Sequence, residues 1–188
     1  ECAAAGRNMT VSGLVASVGL EEFSKGVVLP HEQTLSKAKQ DRFDLMKATN
    51  CNFSQVYSLY LDGGKVSGLC RRQKERVPDV EAKDRDGLIH RLWIVTDRDF
   101  ISEVEKSFED KKLYIADGHH RYETALNYRD YLKQIGKHSE NADYIMMFLA
   151  DMEQDGLLVL PTHRIVRDLE RFDRESLLSL CEQSFDIT

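Results

Sequence analysis

Apolar residues recur along the chain with two periods, and the switches between them divide it into elements. Leu14, Val15, Val18 and Leu20 form a loosely alternating run that predicts a strand over 13–20. Gly26 and then Val27-Val28-Leu29 predict a short strand or loop ending at Pro30, since proline biases the preceding residue towards extended geometry. Residues 36–47 contain no breaker and set Phe43, Leu45 and Met46 among lysines and aspartates, the pattern of an amphipathic helix. Residues 55–61 are aromatic and β-branched and stop at Asp62-Gly63-Gly64, which predicts a strand. The stretch 65–86 is strongly charged and interrupted by Pro78; it reads as a short helix over 66–73 followed by a loop. A strand is expected over 88–96, then a helix over 97–109 with Phe100, Ile101, Val104 and Phe108 on one face. Leu113, Tyr114 and Ile115 mark a buried strand over 112–116. The clearest helix follows over 118–134, with Ala125, Tyr128, Leu132 and Ile135 at helical spacing and Gly136 as its stop. Two strands, 144–149 and 157–160, flank the turn signal Asp155-Gly156, and a last helix covers 174–183. Strands and helices mix without strict βαβ alternation or internal repeats, so the expected fold is one α+β (mixed α/β) domain spanning 1–188.

Composition narrows the class. The 188 residues can bury a sizeable core, and 41% hydrophobic with 31% charged residues and three prolines excludes collagen, low-complexity disorder and a membrane bundle. The longest apolar run, Ile145 to Ala150, is far short of a membrane span. A formal net charge of −6 argues against a generic nucleic-acid binder but leaves room for a local basic pocket. Cys2, Cys51, Cys70 and Cys181 form no C-x-x-C pair and fit neither a zinc site nor a disulfide framework, so free thiols in a reducing cytoplasm are expected. The chain opens on Glu1 without a signal-peptide pattern and ends at Ser184-Phe185-Asp186-Ile187-Thr188, where an apolar strand begins. It reads as a fragment of a longer chain.

Candidate chemistry concentrates in Leu113-Tyr114-Ile115-Ala116-Asp117-Gly118-His119-His120-Arg121, where an apolar strand runs into a glycine and then a long helix. A helix N-terminus presents unpaired N–H groups and partial positive charge, and Gly118 lets a ligand come close to the backbone. With His119, His120 and Arg121 in the first turn, the segment predicts an anion site, and Arg121 can hold two phosphate oxygens. Read as structure alone, it is a helix start capped by Asp117. A zinc helix does not fit: His119 and His120 are adjacent and point about 100° apart. His31-Glu32-Gln33-Thr34-Leu35 ends on Leu where a metal-binding H-E-x-x-H ends on His. In Pro30-His31-Glu32-Gln33-Thr34, Glu32 is a candidate general base, and Thr34 a candidate cap for a helix that carries Lys37, Lys39 and Arg42. His163 and Arg164, at the end of the 157–160 strand, and His90-Arg91 are further candidates.

These segments carry a resemblance. Asp117-Gly118-His119-His120-Arg121-Tyr122-Glu123-Thr124-Ala125, with Pro30 to Thr34 upstream and Leu160-Pro161-Thr162-His163-Arg164 downstream, resembles the bacterial and archaeal family called domain of unknown function 1015. The likeness runs from about Gly13 to the C-terminus and takes in Lys39-Gln40-Asp41-Arg42 and His90-Arg91-Leu92-Trp93. More distantly, the Pro-His-Glu-Gln and Asp-Gly-His-His-Arg segments are similar, in the same order, to those of free-serine kinases of the ParB/sulfiredoxin-like superfamily. That resemblance implies a ParB/sulfiredoxin-like core, with residues 52–108 as an inserted subdomain between the two segments. It implies a nucleotide-dependent phosphotransferase acting on a small hydroxyl-bearing metabolite. Glu32 would be the base with His120 at the catalytic centre, and Asp117, Gly118, His119, His120 and Arg121 would bind phosphate. His31, Thr34, Lys39, Arg42, His163 and Arg164 would lie at or behind the substrate. ATP or ADP would enter with Mg²⁺, for which Asp117 is the ligand if the protein supplies one. Sulfiredoxin chemistry is excluded, because His119 stands where that enzyme needs a cysteine. The alternative is a non-catalytic nucleotide-binding or protein-interaction module.

Overall fold

A computed structural model describes residues 2–4, 7–32, 36–157, 165, 167 and 171–187. In chain order the elements are β1 (Cys2–Ala4), β2 (Arg7–Met9), β3 (Gly13–Gly19), β4 (Val28–Leu29), α1 (Ser36–Thr49), β5 (Val56–Tyr60) and α2 (Lys65–Gln73). There follow β6 (Val80–Lys83), β7 (Ile89–Leu92), α3 (Arg98–Phe108), β8 (Leu113–Asp117), α4 (His119–Gln134), β9 (Tyr144–Asp151) and α5 (Arg174–Cys181). The mixture of helices with a mixed sheet is the α+β class that the periodicity predicts. The chain divides into two compact units, Glu1–Leu158 and Val159–Thr188, where the sequence pattern suggested one domain. In the second unit, Asp173 caps α5 by accepting from Ser176 N–H at 3.0 Å.

The first unit is built on a five-stranded sheet in the order β3-β9-β5-β8-β4. β9 runs parallel to β5 and antiparallel to β3; β8 runs antiparallel to β5 and parallel to β4. Alternation along the central strands sorts their side chains. Val56, Ser58 and Tyr60 of β5 are buried with Ile145, Met147 and Leu149 of β9 and Leu113 and Ile115 of β8. The main core adds Val28, Val66, Tyr122, Ala125 and Leu126. Tyr57 and Phe148 alternate to the opposite face, where their rings meet at 5.4 Å.

Residues 52–108, expected as an insertion, contribute unequally. β5 fills the centre of the sheet, and α2 buries Val66 and Leu69. Among the described residues β6 and β7 pair only with each other, and nearly every residue in them is exposed. The loop expected after 73 therefore contains a strand, and the 88–96 strand shortens to Ile89–Leu92. β6, with Val-Glu-Ala-Lys, has no buried face to impose an apolar alternation. The hairpin β1–β2 also lacks a strong pattern in the sequence. Ile135, expected on the buried face of the long helix, caps its C-terminus and is exposed. The strand expected over 157–160 falls, apart from Leu157, outside the described residues.

Two links hold α4 in place. The Tyr122 hydroxyl donates to Glu21 C=O at 2.8 Å and accepts from Glu21 N–H at 2.9 Å, while Arg129 pairs with Glu22 at 2.5 Å. On its other flank α1 packs across α4, where Phe43 meets Tyr128 and Tyr131 edge-on and Lys39 pairs with Glu123 at 2.8 Å.

Candidate functional site

β8 delivers its C-terminal end directly to the start of α4. Gly118 is the helix N-cap and adopts φ +95°, a left-handed conformation in which any side chain is strained. A Cβ there would stand 2.7 Å from Nε and Nη2 of Arg121, so glycine also makes room for the guanidinium to fold back over the turn. Asp117 does not act as the N-cap. Its carboxylate accepts from Arg121 Nη2 at 2.5 Å, an i,i+4 pair, and Arg121 Nη1 donates to Ser54 Oγ at 2.8 Å.

β4 runs parallel to β8, so the segment that leaves it, Pro30-His31-Glu32, emerges beside the same helix start. His31 Nδ1–H donates to Ile115 C=O at 2.7 Å, and His31 N–H donates to Nε2 of His119 at 3.2 Å. The two rings meet edge to face at 4.5 Å. Glu32 Oε2 then stands 3.6 Å from His119 Nδ1, and Oε1 stands 3.8 Å from His31 Nε2. Segments more than eighty residues apart in sequence thus converge on one point.

The geometry fixes the protonation of His119. Its side chain is 2% exposed, and its Nε2 accepts a backbone hydrogen bond, so the single proton of the neutral ring resides on Nδ1, facing Glu32. Burial, then the adjacent His31 ring, lowers its pKa below the usual 6.5, outweighing the opposite pull of Glu32, Asp117 and Glu123. His119 is therefore not a cationic phosphate ligand: its imidazole turns inward, and only its backbone belongs to the helix start. This corrects the expectation that its side chain joins those of His120 and Arg121 around an anion.

The remaining expected residues separate. His120 lies half-buried in the first turn of α4. Lys39 is engaged by Glu123, so it ties α1 to α4, and Arg42 is exposed on α1. His90 pairs with Asp84 at 2.8 Å on the β6–β7 hairpin. Thr34, His163 and Arg164 lie outside the described residues. Ser54, Tyr57 and Phe148 escaped sequence reading. With Val11, Gln55, Asp117 and Arg121 they line a cavity of about 430 Å³ beside the helix start. The alternation of β5 and β9 placed Tyr57 and Phe148 opposite the core; the i,i+4 spacing of Asp117 and Arg121 was a legible signal for their pair.

The donor set allows Mg²⁺ only in company. Asp117 offers one carboxylate, already shared with Arg121, and Mg²⁺ commonly combines one or two carboxylates with substrate phosphates. Among the described residues no group of three or more His, Cys, Asp or Glu is placed to hold a metal, and no helix is long and apolar enough to cross a membrane.

A family model described as "Protein of unknown function (DUF1015)" matches residues 2–188. The chain belongs to that family. No curated protein and no solved structure matches it. Within this DUF1015 chain, the two motif segments are the ones that meet at the start of α4.

Proposed function

We propose that this DUF1015 chain is a nucleotide-dependent phosphotransferase acting on a small hydroxyl-bearing metabolite, with Glu32 as general base and the start of α4 as the phosphate site. The observation that carries the reading is the approach of the Glu32 carboxylate to 3.6 Å from His119 Nδ1, at the first turn of a helix opened by glycine. A base beside an N–H-rich, partly positive helix end is what transfer of a phosphoryl group to a hydroxyl requires. Glu32 is 62% exposed, so a substrate can reach it, and the buried His119 ring stands behind it. In the proposed reaction Glu32 accepts the hydroxyl proton, the hydroxyl oxygen bonds to the terminal phosphorus, and the bond from that phosphorus to the bridging oxygen of the nucleotide breaks. The shortened nucleotide leaves. Backbone N–H groups at residues 119–121 and the Arg121 guanidinium stabilise the oxygens in transit. Mg²⁺ would travel with the nucleotide phosphates, with Asp117 as its ligand on the protein.

A second reading, a non-catalytic nucleotide-binding module, draws on one feature: Arg121 is already engaged by Asp117 and Ser54. One experiment separates the two. The full chain is incubated with Mg²⁺, either ATP or ADP, and a mixture of hydroxyl-bearing amino acids, and phosphorus NMR is recorded. A phosphate monoester signal assigned to the amino acid, distinct from AMP and present only when the acceptor is added, supports the transferase. Nucleotide binding without product favours the module, and absence of both overturns both readings.

A further inference from the structure

The apolar end of the cavity beside Arg121, formed by Val11, Tyr57 and Phe148, has no part in the phosphoryl transfer proposed above. We infer that it receives the nucleoside portion of the nucleotide, with the base lying on the wall formed by Tyr57 and Phe148; the inference rests on the nucleotide reading above and names where that ligand's other end goes.

Its wall is aromatic because of strand register. Tyr57 and Phe148 are direct partners in the parallel pair β5–β9, and both point away from the core. Their rings stand 5.4 Å apart at 53°. Phe148 lies over Gly13 of the next strand, where a Cβ would come within 2.6 Å of the ring, so the lack of a side chain there lets the phenyl group lie down on the sheet. Val11 extends the apolar surface. The volume, about 430 Å³, falls in the range of small-molecule sites. Aromatic faces of this kind stack nucleobases irrespective of sequence, since every base has a π-face.

The rim is polar, which suits a nucleoside better than a lipid or a purely apolar ligand. Ser54 and Gln55 stand where β5 begins, and the Arg121 guanidinium donates to Asp117 and Ser54.

Phe148, Tyr57 and Asp117 sit on successive strands, with Tyr57 in register with both Phe148 and Asp117, and His31 and Glu32 follow on the far side of β8. At roughly 4.8 Å per strand the line from Phe148 to Glu32 covers three steps, about 14 Å. A base at one end of that line sets its phosphates at the start of α4 and leaves the acceptor beside Glu32.

The test is calorimetric titration of the full chain with Mg²⁺-ATP and, separately, inorganic tripolyphosphate, on the parent and on Tyr57→Leu and Phe148→Leu. Leucine keeps apolar bulk and removes the π-face. Loss of base stacking should weaken ATP binding roughly 5- to 150-fold for each variant while tripolyphosphate binds as before. Equal loss for both ligands, or none for ATP, overturns the cleft assignment while leaving the nucleotide reading standing. A parent that binds tripolyphosphate and ATP equally well also rejects the nucleoside subsite. A parent that binds no ATP rejects the reading and the inference together. Should either variant unfold, intermolecular NOEs in the parent decide: cross-peaks from the Tyr57 and Phe148 rings to adenine H2 or H8 are expected, and their absence at saturating ATP rejects the site.

Discussion

His119 is held by three constraints at once: burial, a backbone N–H aimed at Nε2 and a carboxylate facing Nδ1. A proton on Nε2 would confront the His31 N–H, so the charged ring costs more in the folded state than in the unfolded chain. The consequence for stability has a definite sign. With the folded pKa below 6.5, the unfolded chain takes up the proton first as pH falls. Stability attributable to His119 is present above pH 6.5 and declines as pH drops through the lowered folded value. Urea unfolding between pH 7 and 5 should therefore show a shallower pH dependence in His119→Asn than in the parent; equal slopes would reject the assignment. Long-range ¹H–¹⁵N NMR should find Nδ1 protonated and Nε2 bare. Glu32 makes the opposite demand. It is exposed and outside the core, so Glu32→Gln should change folding stability by no more than about 1 kcal/mol. As a general base it should cost about 10² to 10⁴ in turnover while nucleotide binding persists. Turnover at the parental rate would remove Glu32 from the base role.

At the scale of elements, the site depends on how β8 turns into α4. The turn requires a positive φ at Gly118 and space for Arg121 above it. Gly118→Ala should therefore destabilise the fold by about 1–3 kcal/mol, through left-handed strain and displacement of the guanidinium. Gly19→Ala, where an added Cβ meets nothing within 4 Å, is the control and should unfold within about 0.5 kcal/mol of the parent. Chemical denaturation compares the two, and equal midpoints would show that the turn tolerates a side chain. Elements with one buried face were readable: Val56, Ser58 and Tyr60 alternate in β5, Leu113 and Ile115 in β8. β6 was hidden because solvent reaches both its faces; its pairing with β7 rests on backbone hydrogen bonds and the cross-strand Glu81–Arg91 pair, which leave no apolar alternation. In the site, strand–glycine–helix marked the start of α4. The inward turn of His119 was not legible, since its cause is the main chain of His31, 88 positions away. Tyr57 and Phe148 gave their orientation through alternation, but their adjacency depends on the parallel pairing of β5 with β9, which follows from topology.

For the molecule as a whole, residues 52–108 pose a question of dependence: which parts of that stretch does the sheet need? The buried surface divides them. Val56, Tyr60, Val66 and Leu69 belong to the core, whereas the β6–β7 hairpin contributes no buried residue. The hairpin is also closed at its base: Asp79 N–H donates to Leu92 C=O at 2.9 Å, Ile94 N–H to the Asp79 carboxylate at 2.7 Å, and Trp93 Nε1–H to Arg76 C=O at 3.0 Å. Asp79 and Leu92 are thus already neighbours, and two glycines can join them as a tight turn without disturbing these bonds. Replacing residues 80–91 by Gly-Gly should leave a cooperatively folded protein within about 1 kcal/mol of the parent, because no core contact is lost and a shorter connection costs slightly less closure entropy. Leu69→Ala, in α2 and 4% exposed, should cost about 2–5 kcal/mol by opening a cavity. Urea unfolding of both variants, followed by near-ultraviolet circular dichroism, reads the contrast. If the shortened chain loses its cooperative transition, the hairpin is part of the folding unit despite its exposure. If it keeps both the transition and the parental affinity for nucleotide, the hairpin lies outside the fold and outside the site at the start of α4.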